Sequence, residues 1–244
     1  MGTLVSVGGN FWAAYKPLII AFAIMAVLAF VLLQLLVVLR RRAEQELQQL
    51  YYSDVALYLE RLENNKRLKY VFRAPIILLY RLDGYLKLGS DEKIREVIST
   101  LDSMKLEPRD RVEFLQKRMS FFVSVGEAAE ARASFDRLSD YLHTVKADEV
   151  DQYRAMIDEG KEIIRVYLDK DVTYMNSLLK KAEKTQHPVL RGVIYYRLAK
   201  LAHFKGDADK REKYLRQASQ TLGGTDYEAI IAQALIAPDI LETK

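Results

Sequence analysis

Residues 193–224 read VIYYRLAKLAHFKGDADKREKYLRQASQTLGG. Gly206-Asp207 punctuates the middle as a turn signal, and neither flank carries another helix breaker until Gly223. Small residues at Ala199 and Ala218 let two helices approach closely, while Leu198 and Leu215 fill the space between them. The stretch predicts two helices joined by a short polar turn, a unit too small to bury its own apolar faces.

Working outward, the same punctuation recurs. Turn signals fall at Gly89-Ser90-Asp91, Gly126-Glu127, Asp169-Lys170-Asp171 and Gly206-Asp207, spaced by about 37, 44 and 36 residues. This is the period range of helix-turn-helix units that stack into solenoids. Pro75, Pro108 and Pro188 each stand where a helix would begin, the one helical position at which a missing N–H does no harm. Only 11 glycines and 5 prolines occur in 244 residues, and strand-like alternation is hard to find. The expected fold class is all-α, an N-terminal membrane helix followed by an α-solenoid of antiparallel helix pairs.

The unit at 193–224 resembles a tetratricopeptide repeat. Tyr195 stands at the first aromatic position, Leu198-Ala199 at the large-then-small pair, Gly206-Asp207 at the turn, and Leu215 and Ala218 on the second helix. Ala202, where an aromatic is usual, and Arg211, where alanine is usual, depart from the pattern. Weaker matches precede it: Leu115, Met119, Phe122, Gly126, Ala131, Phe135 and Leu138; then Ile163, Leu179, Ala182 and Pro188; and, in the first pair, Tyr85, Gly89, Ile94 and Ile98. An unrelated helical-pair solenoid fits the same period. Tyr227 to Leu235 would be a terminal capping helix. The resemblance implies a groove, built from the first helices, that receives a peptide or a partner's helix. In this register Val193, Tyr196, Lys200 and His203 face the groove with Arg197 at its edge, and Ile157, Ile164 and Tyr167 line the preceding unit. Residues 188–220 hold eight Lys/Arg against three Asp/Glu, which suits an acidic segment or a terminal carboxylate. Solvated basic side chains and ordinary tyrosine packing explain the same residues. The Lys/Asn set of carboxylate-clamping family members is not matched.

At the other end, Leu18 to Leu39 is 22 residues with Gln34 its only polar member. It would span about 33 Å, against about 30 Å for a hydrocarbon core. No small-residue cleavage pattern follows it, so an anchor is expected rather than a signal peptide. Arg40, Arg41 and Arg42 close the span and set its orientation: they hold the C-terminal side in the cytoplasm, with Lys16 and the amino terminus before it. Phe11, Trp12 and Tyr15 form an aromatic anchor at the outer interface. Gln34 reads as a tolerated polar residue or a helix-association contact, and Met1-Gly2 through Ser6 as a chance match to a myristoylation pattern. The division is then an extracytoplasmic N-terminus at 1–17, the span at 18–39, a stalk helix and basic linker at 40–74, helical repeats at 75–236 and a tail at 237–244. The stalk is expected to run unbroken from Arg40 to Leu62, with Leu47, Tyr51, Val55, Tyr58 and Leu62 on one face and Glu44 and Glu46 paired to the arginines one turn away.

Residues 1–74 hold nine Lys/Arg against five Asp/Glu, and residues 75–244 hold 28 of each, so the whole net charge of +4 lies beside the apolar segment. A nucleic-acid module carries its basic footprint on the folded domain, so the bilayer is the expected partner and nucleic acid is not. The absence of cysteine removes disulfides, thiolate ligands and cysteine nucleophiles. The three histidines, His143, His187 and His203, show no metal-ligand spacing, and no phosphate loop or nucleophile motif is present. No cofactor and no enzymatic activity are expected. The expectation is a single-pass adaptor that recruits another protein or peptide at the cytoplasmic face of the cell membrane. Two alternatives stay open: the same architecture exported to assist secretion or assembly, and a self-associating element that uses Gln34 and the Tyr51–Leu62 face.

Overall fold

The computed structural model describes the backbone of residues 8–143 and 150–242, and the side chains of 15–16, 18–141 and 153–242. Among the described residues there are twelve α-helices and no strand. The chain divides into two compact units, Met1–Lys105 and Leu106–Lys244.

The first unit begins with α1, Gly8–Ser53, whose 46 residues make a rod of about 69 Å. From Leu18 onward it contains an 18-residue window of mean hydropathy 3.0, none of it buried. Phe30 and Leu33, for example, are 61% and 60% exposed. A helix apolar all round with nothing packed against it suits hydrocarbon rather than water, and α1 is long and apolar enough to cross a membrane.

The expected unbroken stalk stops at Asp54. This residue takes extended backbone angles (φ −154°, ψ 96°) and its carboxylate accepts the Leu57 N–H at 3.0 Å, capping a new helix, α2, Val55–Asn64. A short acceptor side chain competes well with the backbone at this position and poorly inside a helix. Because α2 turns back on α1, Glu46 pairs with Arg61 at 2.7 Å instead of with the arginines; Arg40 and Glu44 pair at 2.9 Å as expected. The interruption expected at Asn64-Asn65 is present, and Asn65 Oδ1 accepts the Arg67 N–H at 3.0 Å. There follow α3, Leu68–Val71, and the pair α4, Ala74–Leu88, and α5, Asp91–Ser103. Leu47, Tyr58, Leu59 and Leu62 are buried with Leu79, Leu82 and Tyr85 of α4, so the stalk face is spent inside the unit. A Cβ on Gly84 would lie 2.6 Å from Leu59 Cδ2: glycine is what lets α2 and α4 touch here.

In the second unit α6, Pro108–Ser124, packs on α7, Ala128–His143. Then α8, Val150–Ile163, widens into a π-helical turn, Ile164–Leu168, and a 3-10 turn, Val172–Tyr174, leads into α9, Met175–Lys184. The long pair is α10, Pro188–Phe204, and α11, Ala208–Leu222; α12, Tyr227–Ile236, and a 3-10 turn, Pro238–Glu242, complete the described chain. Leu198, Ala199, Leu215 and Ala218, the residues expected between these helices, are fully buried, and Ala202 lies with them. Each fully buried leucine contributes about 1.5–3 kcal/mol relative to exposure. Tyr195 stacks on Tyr214 at 6.4 Å. All three expected glycine turns have left-handed backbones, φ 66° at Gly89, 75° at Gly126 and 77° at Gly206, and Lys170, φ 51°, occupies that region in the fourth.

Candidate binding cleft and membrane-proximal arginines

The inner face expected in the last unit is not an open groove. Tyr196, Arg197 and Lys200 are 1%, 5% and 2% exposed, while Val193 and His203 are only partly exposed. Three pieces of the same chain cover this face. The ring of Tyr196 meets Tyr227 of α12 edge-on at 5.2 Å. Lys200 donates to the Leu241 carbonyl at 2.6 Å and lies 4.8 Å from the Tyr167 ring centroid. His203 approaches Glu242 at 3.6 Å. Burial, then the charge of Lys170, pushes the Lys200 ammonium down to about 8. Burial also raises the phenols of Tyr167 and Tyr196, so both stay protonated.

Arg197 is the centre of an ionic network across three helices. Its guanidinium donates to Glu162 and to Glu159, one turn apart on α8, and Lys181 of α9 donates to Glu162 at 2.7 Å. Glu162 is 1% exposed and Glu159 46%. Burial disfavours the Arg197 charge, but the hydrogen bond it donates to Glu159 and the neighbouring carboxylates hold it protonated far into the basic range. Burial alone would raise the Glu159 carboxyl; the bond to Arg197 holds it below its usual value instead. Such a network locks α8, α9 and α10 in register, since Arg197 and Glu162 would each be costly to bury alone.

One side of this network faces a cleft of about 590 Å³ between α7, α8 and α9. Phe135, Ile164 and Tyr174 supply its apolar surface. The rim carries Arg132 and Asp136 of α7, Asp158 and Lys161 of α8, Arg165 of the π-helical turn and Lys181. The cleft owes its shape to three local features. A Cβ on Gly160 would lie 2.8 Å from the Phe135 ring, so only glycine lets α8 approach this closely. The π-helical turn places Ile164 and Arg165 on the wall. Asp171 then fixes Arg165 with a bond from each of two nitrogens, 3.0 and 2.6 Å, holding it 4.1 Å above the Tyr174 ring. Arg132 pairs with Asp169. Asp136, Asp158 and Lys161 are exposed and make no ion pair among the described residues. The arrangement suits an apolar side chain set between charged groups; among the described residues no three His, Cys, Asp or Glu come together as a metal site.

Of the residues expected to line the groove before the last unit, Ile164 is on the cleft, Ile157 is partly exposed on α8, and Tyr167 packs under Lys200. Arg40, Arg41 and Arg42 follow directly on the exposed apolar surface of α1, and Arg41 and Arg42 are exposed without ion pairs among the described residues. Tyr15 is 47% exposed on the same helix, whereas the side chains of Phe11 and Trp12 lie outside the described residues. The cleft was not read from the sequence, although Gly160 inside an otherwise good helix was a signal for close approach. No protein-family model, curated protein or solved structure matches the chain, so the repeat resemblance rests on the residues that carry it.

Proposed function

We propose that the chain is a single-pass membrane-anchored adaptor whose helical pairs, tetratricopeptide-like in period, lie in the cytoplasm and receive a segment of another protein. The observation that carries this reading is the junction at Leu39-Arg40. An apolar helix with no packing partner gives way to three exposed arginines without a break in the helix, and the same helix continues into a folded unit. The charge step favours retention of the arginine side in the cytoplasm. Four left-handed turns at near-constant period support the repeat reading. The partner site is assigned to the cleft around Ile164, not to the inner face of α10, because the latter is already occupied by α12 and the last 3-10 turn. A π-helical turn on its wall is the kind of irregularity that accompanies functional surfaces.

Topology is tested by fusing a reporter active only in the cytoplasm after Lys244, in the native chain and with Arg40, Arg41 and Arg42 changed to glutamine. Signal from the first, weakened in the second, is the expected result; no signal at normal expression would place the repeats on the other side. The binding site is tested by a photocrosslinking residue at Lys161, on the rim, with Lys213, on the exposed side of α11, as control. A discrete protein adduct from position 161 alone is expected, and equal adducts from both positions would remove the cleft from the proposal.

A further inference from the structure

We infer that the segment from Lys66 to Arg73 is a second, interfacial contact with the bilayer, a basic foot that rests on anionic lipid headgroups beside the span. The inference rests on α1 being the membrane helix and adds a surface to it. Three observations place the foot at the boundary.

The first is height. Leu68 and Phe72, one turn apart, are 4% and 3% exposed, and α3 packs against α1. The Arg40 guanidinium lies 5.8 Å from the Phe72 ring centroid. Arg40 is the residue at which the apolar surface of α1 ends, so Phe72 is pinned at the level of the headgroups. Tyr80 of α4 closes on the other side of Phe72, edge-on at 5.6 Å, which fixes the segment to the folded unit as well.

Charge is the second. The 19 residues between Glu63 and Asp83 contain no acid, and Glu63 is engaged by Arg81 at 3.0 Å and by the Tyr85 hydroxyl at 2.7 Å. Lys66, Arg67 and Lys69 are exposed and form no ion pair among the described residues, as do Arg41 and Arg42 on the neighbouring helix. Glu60, which lines the same surface depression as Lys66 and Arg67, is the one nearby acid among the described residues not engaged elsewhere, so five cations beside the span face a single counter-charge and are matched by an anionic surface.

The third is Tyr70. It is 84% exposed on a segment whose Leu68 and Phe72 are inside and whose Val71 is partly buried. An aromatic ring with a polar tip gains most at the boundary between hydrocarbon and water.

The test uses the full chain reconstituted in phosphatidylcholine vesicles with and without phosphatidylserine. Trp12 is the only tryptophan, so Trp12→Phe with Tyr70→Trp leaves one probe at the foot. Its emission is expected to shift to the blue, to be quenched by lipids brominated near the headgroup and to be protected from acrylamide, most strongly with phosphatidylserine and at low salt. Lys66→Gln, Arg67→Gln and Lys69→Gln together should lower the preference for the anionic surface on the order of a hundredfold, at about fivefold per cation. A probe as open to acrylamide as in lipid-free buffer overturns the inference, as does protection indifferent to phosphatidylserine and to the three substitutions. Concentration-dependent protection in detergent would assign the patch to a second copy and overturn it too. Resistance to alkaline carbonate reports the span separately. A chain that resists extraction while its probe stays water-exposed loses only the foot; a chain that extracts loses both readings.

Discussion

Arg197→Met is the sharpest test of how the second unit is held together. The side chain is 6% exposed and bonded to two carboxylates, one of which, Glu162, is 1% exposed. Methionine fills most of the volume but leaves Glu162 in a dry site with Lys181 its only remaining cation among the described residues. Removing one partner of a buried pair costs about 3–5 kcal/mol, because the other charge stays behind without full compensation. The measurement is hydrogen–deuterium exchange of the α10 amides, which reports the ionic network locally. Those amides should exchange faster by roughly two to three and a half orders of magnitude. Adding Glu162→Met removes both buried charges, while Glu159 and Lys181, 46% and 44% exposed, keep access to water. The double variant should recover to within about 1–2 kcal/mol of the native chain, as apolar replacements of buried pairs do. A loss below about 1 kcal/mol for the single variant, or a double variant no better than the single, would refute the reasoning. The pH dependence has a fixed sign. The Glu159 carboxyl lies below its ordinary value of 4.5 in the folded chain. Its stabilisation is therefore present above about 4.5 and lost as pH falls through the lower folded value, and Arg197→Met should flatten that acid limb.

Lys200 gives the opposite limb. Its folded value of about 8 lies below the ordinary 10.5, so the unfolded chain binds more protons between the two and stability should rise with pH across that window, by up to about 3 kcal/mol. Thermal unfolding from pH 7 to 11 should show that rise in the native chain and lose it in Lys200→Met; an unchanged slope would mean the ammonium is not shielded as described. Gly192→Ala probes the approach of α10 to α11: the new methyl would lie 2.3 Å from Thr221 Oγ1 and 2.7 Å from Leu222 Cγ. Overpacking of about 1–3 kcal/mol outweighs the roughly 1 kcal/mol that alanine gains in helix propensity, so the melting temperature should fall, and a rise would show that the pair separates easily.

The elements were legible where the chain punctuates itself. Pro75, Pro108 and Pro188 lie in the first turns of α4, α6 and α10, and every expected turn is a turn, including the glycine-free one at Lys170, where Asp169 and Asp171 take up Arg132 and Arg165. Periodicity, however, reports which residues share a helix face and not what comes to cover it. Tyr196, Arg197 and Lys200 do share one face of α10, as read, yet each is closed over by a residue 31 to 41 positions away: Tyr227, Glu162, Leu241. The local basic excess of 188–220 is subject to the same limit. A window count cannot see that Glu159 and Glu162, on an earlier helix, neutralise Arg197. Residues 237–244 stand apart in the sequence only as a tail, but Leu241 is fully buried and its carbonyl is the Lys200 acceptor, so a segment assigned no structure closes the very face assigned to a partner. The stalk failed on a single side chain, since the apolar period runs on past Asp54 from Tyr51 to Val55 and Tyr58 while the Asp54 carboxylate caps α2. In the last unit the unread step is the closing of a helix face by distant residues, which pattern along the chain does not encode, whereas the Asp54 cap is local, its carboxylate accepting the N–H of Leu57 three residues on. The same limit explains why the charged junction at Leu39-Arg40, whose meaning depends only on its neighbours in sequence and on the solvent around it, is the feature on which the functional reading stands most directly.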